Sequence, residues 1–427
     1  MTRSIPLLFL ALAACSDNNS SGQPQPKICS TNSGMGMLTD LGVPCDPGGN
    51  GVLLTASGEG FAKDGYAFPP ANPDDVYFVD GWALTYDRIL TTFDHITLSR
   101  GPDKVPTDQS KCDDGKGGTI LCGTGSSVLA EVDGPFAIDL HKGGSLADAD
   151  GVANDAAPFA AFTGLNKQGN TAFDPTTKYA FGFEVVKATT SAHNINLDAA
   201  DLADYATMVT MGYTTLLVGT ATWQGNNNGT LPGGCTQTAV TPPYDFSVLP
   251  TTIKFKFGLI APTVYRNAQN PDLTGNPNPN EEHPRGIQTA ANQATIAQAT
   301  FHIDHAFWES FVHDSPAHFD SFAARYVGVT PTPVATLEDY KGYSFKPFVD
   351  HLGHPLPFRS CVDATAYTPP GTGAMTFDTL TIPVNPTGDP AMAIRDFYDY
   401  TTYNHSTFGH LNADGLSFVD RQYPSPP

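Results

Sequence analysis

The most regular pattern along the chain is an alternation of apolar and polar residues between Val76 and Leu98. Apolar side chains at even-numbered positions recur with a period of two, which predicts strands with one buried face. They are Val76, Phe78, Trp82, Leu84, Tyr86, Leu90, Ile96 and Leu98. Further β-branched and aromatic runs with turn residues between them predict strands at Ser127–Leu140, Tyr179–Thr189, Tyr213–Trp223 and Thr251–Tyr265.

One segment among these strands has the pattern of an α-helix. Asp198 is a candidate N-cap and Gly212 a candidate C-cap, and apolar residues between them share one face. These are Leu202, Tyr205, Met208 and Val209. Strands joined by turns, and not by regular helices, argue against a doubly wound α/β fold. The sequence therefore predicts a mainly β protein with a β-sandwich-like core, a few short helices and long loops.

Polar and Pro-rich segments divide the chain into four parts. Residues 16–27 read SDNNSSGQPQPK and predict a flexible tether, because they lack apolar periodicity. Residues 267–286 are dense in Asn and Pro, which indicates either a long surface loop or a domain boundary. We expect a leader over residues 1–14, a linker over 15–50, a β-sandwich-like domain over 51–275, and a histidine-rich C-terminal part over 276–427, either separate or packed on the same core.

The composition narrows the choice of partners. The 427 residues include 22 basic and 43 acidic side chains, which gives a net charge of −21. Such a charge repels phosphate backbones, so we expect no nucleic-acid partner. Low charged content with 41 Gly and 36 Pro favours an exported, loop-rich β protein over a helical cytosolic enzyme.

The start of the chain indicates where such a protein is sent. Arg3 precedes an apolar run from Ile5 to Leu12, which ends in Ala13, Ala14 and Cys15. This arrangement resembles the lipobox of bacterial lipoproteins. The resemblance implies that the signal peptide is cleaved before Cys15 and that the cysteine thiol carries diacylglycerol. Because Ser16 and not Asp follows the cysteine, it also implies a lipid-anchored protein of the cell envelope, in the outer membrane.

Six further cysteines suit the oxidising environment that export implies. An even number favours disulfides, with local pairs for Cys29 with Cys45 and Cys112 with Cys122, and a long-range bridge between Cys235 and Cys361. Six cysteines allow 15 connectivities, so other pairings stay open. A thiolate metal site is the alternative, but the chain contains no CxxC.

Histidine is concentrated towards the C-terminus, where nine of the twelve residues lie from His283 onward. The segment FHIDHAFWESFVHDSPAHFDSFAARY, residues 301–326, carries four of them together with several carboxylates. Imidazole and carboxylate ligands suit zinc, copper or iron. We therefore predict a transition-metal site with the candidate ligands His302, His305, Glu309, His313 and, as a fifth, His318.

The geometry of that site depends on the secondary structure of residues 298–313. In a helix, the first four candidates are spaced three, four and four residues apart and form one stripe opposite Phe307, Trp308 and Phe311, with Trp308 anchored in the core. In a strand over 299–305, His302 and His305 point to opposite faces and cannot share an ion, and His302 pairs with Asp304. A third interpretation makes the stripe only the solvated face of an amphipathic segment.

Other polar groups give weaker signals. The pairs His351 with His354 and His405 with His410 lie in turn-rich sequence, where histidines more often hydrogen-bond locally than bind metal. His95 sits in the long strand and is expected to be partly buried with a local partner. The carboxylate-rich loop at residues 148–155 can offer oxygens to calcium, although its spacing fails the EF-hand pattern and an Asx turn is favoured.

These observations support one hypothesis and two rivals. The chain lacks GxSxG, HExxH, GxxxxGK[ST] and a GxGxxG that follows a strand, so the common hydrolase, metalloprotease and nucleotide-binding signatures are missing. We expect an envelope protein, attached to the membrane through its lipid, that captures or senses a transition metal without turnover. The rivals are a surface recognition protein that binds glycan or protein, and a metal-dependent enzyme with one open coordination position.

Overall fold

A computed structural model describes most of the chain beyond residue 48. The described residues are 49–72, 75–76, 78, 80–102, 128–224, 250–276, 282–308, 315, 317–326, 328–342, 394 and 396–421, with four two-residue strands in the gaps, two in 103–127 and two in 225–249. The protein is mainly β, with two main sheets and a few short helices, which confirms the sandwich-like core predicted from the sequence.

The strands of the described residues form two large sheets and two small hairpins. Their bounds are β1 (Val52–Ser57), β2 (Trp82–Arg100), β3 (Cys112–Asp113), β4 (Thr119–Ile120), β5 (Val128–Val132), β6 (Phe136–Asp139), β7 (Ala157–Phe162), β8 (Lys178–Val185), β9 (His193–Asn194), β10 (Thr215–Trp223), β11 (Thr236–Gln237), β12 (Tyr244–Asp245), β13 (Thr252–Leu259), β14 (Thr263–Arg266), β15 (Ile287–Gln288), β16 (Thr295–Phe301), β17 (Ala335–Thr336), β18 (Gly409–Leu411) and β19 (Phe418–Arg421).

The α-helices of the same residues are short. They are α1 (Glu59–Asp64), α2 (Ala199–Met211), α3 (Asp320–Ala323) and α4 (Phe397–His405). The predicted ends of α2 are confirmed: the Asp198 carboxylate accepts hydrogen bonds from the backbone N–H groups of Ala200 and Asp201, and Gly212 ends the helix in the left-handed conformation. Tyr205 and Met208 are buried as predicted, whereas Leu202 is exposed. None of the helices in this part of the chain is long and apolar enough to cross a membrane.

The long alternating segment forms β2, the central strand of the larger sheet. Its first half pairs with β10 and its second half with β8. It also pairs with β6 near its middle and with β5 near its end. The strand begins at Trp82 and not at Val76, because Gly81 adopts a positive φ of 95° just before it. A register shift opposite β8 falls between Asp94 and Thr97, where His95 has a φ of 49°. A bulge of this kind strengthens the local twist of a long strand.

The smaller sheet has the order β18, β16, β1, β7. Strands β1 and β16 run parallel, with Ser57 opposite Thr300, so their carboxyl ends meet at one edge. Strand β18 runs antiparallel to β16 and places His410 opposite Thr300. This edge therefore gathers the residues that follow β1 and β16 together with those of β18.

The two sheets share one core. Phe93 of β2 and Phe183 of β8 contact Phe301 of β16, with ring centroids 5.8 and 5.7 Å apart. A single apolar cluster extends from Val52 to Leu411. The described residues of the histidine-rich C-terminal part are thus packed on the same core as the strands that precede them.

Candidate metal centre

Three histidines converge at the shared edge of the smaller sheet. One nitrogen from each of His302, His305 and His410 lies within 4.8 Å of the other two, so this group can hold a metal ion. His305 and His410 are each 1% exposed as residues, and the side chain of His302 is 14% exposed. We call these three residues the histidine cluster.

Sheet pairing brings His302 and His410 together. Since His410 lies opposite Thr300, and side chains two residues apart share a face of a strand, His302 projects towards His410. The pairing continues past β16, because the His302 N–H donates to the Phe408 carbonyl at 2.8 Å. The two rings stack with centroids 4.0 Å apart.

A single turn of 3₁₀ helix supplies the third imidazole. Strand β16 ends at Phe301, and residues Ile303–Phe307 form the turn, which is buried throughout. A strand would send His302 and His305 to opposite faces, whereas the turn brings their ring centroids to 5.7 Å. The His305 ring also lies 5.2 Å from that of His410.

Neighbouring side chains fix the His305 ring. Its Nδ1 lies 2.8 Å from the Thr407 Oγ1, and its ring centroid is 3.6 Å from that of Trp308. The Trp308 Nε1 donates to the Asp304 carboxylate at 2.7 Å. A metal-binding imidazole is normally oriented in this way, by a hydrogen bond at its other nitrogen.

Carboxylates surround the solvent side of the cluster. The Glu59 Oε1 lies 3.2 Å from the His302 Nε2. Burial alone lowers the pKa of His302, but the charge and hydrogen bond of Glu59, with the charges of Asp304 and Asp414, raise that pKa to about 9. Burial and the charges of Glu59 and Asp414 raise the pKa of Asp150 to about 7. The surplus of negative charge favours a cation here.

The backbone holds Glu59 in an uncommon conformation. Its φ is 60°, in the left-handed region that non-glycine residues seldom adopt. The Glu59 N–H donates to the Ser57 Oγ at 2.8 Å, and that hydroxyl donates to the Asp155 carboxylate at 2.7 Å. A side chain on Gly58 would collide with Ala62, whose Cβ would lie 2.5 Å away. These contacts impose the turn that aims Glu59 at His302.

The structure assembles part of the predicted ligand set. His302 and His305 belong to the cluster, and Trp308 is buried as expected. Glu309 and His313 lie outside the described residues. His318 is buried elsewhere, with its Nδ1 3.9 Å from the Asp80 carboxylate, and it is not in the cluster.

Neither predicted conformation of residues 298–313 is correct over its described part. The helix does not form, because residues up to Phe301 belong to β16, and the strand stops before it reaches His305. The prediction that His302 and His305 cannot share an ion followed from the strand and is wrong for that reason.

His410 is the member of the histidine cluster that sequence reasoning missed. The sequence groups it with His405 as a weak loop pair, but His405 is the last residue of α4 and is not in the cluster. His405 is fully buried against Phe408, with ring centroids 4.0 Å apart, and burial lowers its pKa to about 3. His410 lies in a short apolar run between turn residues. Such a run predicts a strand, but it does not predict which strand will pair with it.

The remaining polar candidates have local roles where the structure describes them. The Asp148 carboxylate accepts from the Val152 N–H at 2.7 Å, a local hydrogen bond that spans four residues and not the two of the predicted Asx turn. His95 pairs with Asp133 at 2.9 Å, although its side chain is 42% exposed. His351, His354, Cys15 and the disulfide candidates lie outside the described residues, except that the backbone of Cys112 forms part of β3.

Comparison with known proteins gives no relative for this fold and site. No protein-family model matches the chain, and neither a curated protein nor a solved structure matches it.

Proposed function

We propose that this protein binds one transition metal ion through His302, His305 and His410. The observation that carries the proposal is the convergence of three imidazole nitrogens within 4.8 Å. Neutral imidazole is a ligand suited to zinc, copper, nickel and iron. Thr407 beside His305 supplies the orienting contact that such a ligand needs.

The surroundings favour capture of the ion itself over chemistry on an anionic substrate. Glu59, Asp150 and Asp414 lie on the solvent side, and the chain has a net charge of −21. A negative field attracts cations and repels phosphates and carboxylates. The role we propose is metal capture or sensing at the cell envelope, where the lipid on Cys15 would anchor the protein.

Elemental analysis of the full-length protein tests the metal. The protein is purified in detergent without an affinity histidine tag, reconstituted with zinc or copper, and desalted. We expect about one equivalent of metal. His410→Ala should lose the metal, whereas His193→Ala, which removes an exposed histidine of β9, should keep it. Metal-free wild type after reconstitution, or full occupancy in His410→Ala, would overturn the proposal.

Lipid attachment is tested separately. In a bacterial host, the wild-type chain should incorporate labelled palmitate and sediment with membranes. Cys15→Ser should abolish the label. If the serine variant incorporates as much palmitate as the wild type, Cys15 is not the lipidation site.

A further inference from the structure

The geometry points to Glu59 as a fourth ligand, which makes this a three-histidine, one-carboxylate site selective for a divalent ion over Cu(I). The assignment rests on the proposed function, because it needs a metal at the histidine cluster. It adds a ligand that lies more than 240 residues before His302 in the chain and outside the histidine-rich part.

Strand topology places Glu59 at the cluster. Strands β1 and β16 are parallel, and Ser57 lies opposite Thr300. Two residues beyond this pair, Glu59 and His302 leave the same edge of the sheet side by side. Their Oε1 and Nε2 atoms are 3.2 Å apart, so the carboxylate lies next to one nitrogen of a candidate ligand.

The backbone of Glu59 supports a role for its side chain. A φ of 60° is strained for glutamate and free of strain for glycine. Gly58 and Gly60 flank it, so the turn does not lack glycine. Glutamate at this position costs backbone energy that glycine would not, so its carboxylate is better explained by binding than by stability.

The ligand chemistry then selects the ion. Three neutral imidazoles leave both charges of a divalent ion uncompensated in a buried site, and a carboxylate ligand offsets one of them. Nitrogen and oxygen donors suit Zn²⁺ and Cu²⁺, whereas Cu(I) prefers the sulfur of cysteine and methionine. The cluster assembled by the described residues contains no thiolate.

Exposed carboxylates at the entrance to the site also favour a divalent cation. Asp150 and Asp414 are both exposed, and the charge of each interacts with that of His302. They provide a negatively charged approach to the site, while His305 and His410 are buried behind it. An incoming hydrated cation therefore meets Glu59 before it meets the deeper imidazoles.

Three variants of the full-length protein test the assignment. Glu59→Gln removes the charge but keeps the shape, Glu59→Gly removes the carboxylate and the backbone strain, and Glu282→Gln changes an exposed glutamate in the segment before β15. The measurements are Kd for Zn²⁺ and Cu(I) by competition with chelators, the visible spectrum of the Co²⁺ form, and the melting temperature of the metal-free protein.

We expect both Glu59 variants to raise the Kd for Zn²⁺ by more than about 100-fold and to shift the Co²⁺ spectrum, with a change of less than about threefold for Cu(I). Metal-free Glu59→Gly should melt at or above the wild-type temperature, because glycine relieves the backbone strain at this position. Weaker metal binding by such a variant would then reflect a lost ligand and not misfolding. Glu282→Gln should match the wild type in every measurement.

Other outcomes overturn the assignment in distinguishable ways. A Zn²⁺ Kd within about threefold of wild type, or weaker binding with an unchanged Co²⁺ spectrum, would remove Glu59 from the ligand set while the three histidines stand. An equal loss of Zn²⁺ and Cu(I) affinity would refute the divalent selectivity. If the wild type binds no metal, or if His410→Ala binds as well as the wild type, the proposed function fails, and this assignment fails with it.

Discussion

Two buried groups of histidine and carboxylate stand out among the described residues, and their polar atoms are arranged differently. The histidine cluster gathers side-chain nitrogens from three points of the chain. The second group, which we call the Asp80 cluster, consists of Asp80, Trp82, His318 and Asp320. There the Asp80 carboxylate accepts from the backbone N–H groups of Phe319 and Asp320, each at 2.7 Å.

The two groups differ in what their nitrogen atoms face. In the Asp80 cluster, N–H groups donate hydrogen bonds to carboxylates. In the Asp80 cluster the Trp82 Nε1 also donates to Asp320 at 2.6 Å, so the polar groups join the start of β2 to the start of α3. Burial raises the pKa of Asp80 and, more strongly, of Asp320. In the histidine cluster, nitrogens that can bind a cation face one another instead. A high density of histidine and carboxylate in a sequence therefore does not by itself distinguish a site from a structural link.

Replacement of one histidine from each group tests this comparison most strongly. His305→Ala should raise the Kd for Zn²⁺ by more than about 100-fold, because it removes a ligand. His318→Ala should leave that Kd within about threefold, since its position is outside the cluster. Both affinities are measured by chelator competition at one pH. If both variants lost Zn²⁺ affinity equally, the distinction between a metal site and a structural group would be wrong.

The Asp80 cluster should matter for stability. Asp80→Ala leaves two buried N–H groups without their acceptor, and we expect the free energy of unfolding to fall by about 2–4 kcal/mol. Denaturant unfolding of the metal-free protein measures this, with the exposed Asp64→Ala as the control. If Asp80→Ala instead loses metal at unchanged stability, the division between the two groups is wrong.

Asp139, a buried carboxylate outside both groups, tests the free-energy cost of burying a charge. Burial is the main cause that raises the pKa of Asp139 to about 6, against hydrogen bonds from the N–H groups of Ile89 and His141. Its protonated form is favoured on folding, so its stabilising contribution is present below about pH 4 and is lost as the pH rises through 6.

Asp139→Asn should remove this pH dependence. Relative to the variant, the wild type should lose roughly 2–3 kcal/mol between pH 4 and pH 7, because one pKa unit corresponds to about 1.4 kcal/mol. Unfolding curves across that range measure the difference, with Asp64→Asn as the control. A constant difference between wild type and Asp139→Asn would contradict the raised pKa.

The smallest effect is expected from Trp308, which packs against the His305 ring. Trp308→Phe removes the hydrogen bond to Asp304 and should cost about 1 kcal/mol of stability, with a loss of metal affinity below about tenfold. Trp223→Phe is the matched control, since its Nε1 donates to the Asp80 carbonyl at 3.1 Å, away from the histidine cluster. If both tryptophan variants change metal affinity equally, Trp308 has no special role.

The sequence by itself determined the local elements of the fold. The period-two pattern identified β2, because alternation reports directly which face of a strand is buried. Asp198 and Gly212 marked the ends of α2, because capping depends on residues within one turn. The histidine density also drew attention to His302 and His305, but helix and strand patterns overlap in so short a segment.

Only the tertiary structure decided which residues meet. The 3₁₀ turn after β16 brought His305 to His302, the antiparallel pairing of β18 added His410, and the parallel pairing of β1 added Glu59. The contacts of His410 and Glu59 join residues that are far apart in sequence, through sheet register. Register is fixed by the packing of both sheets on one core, a property of the whole chain that no local pattern encodes.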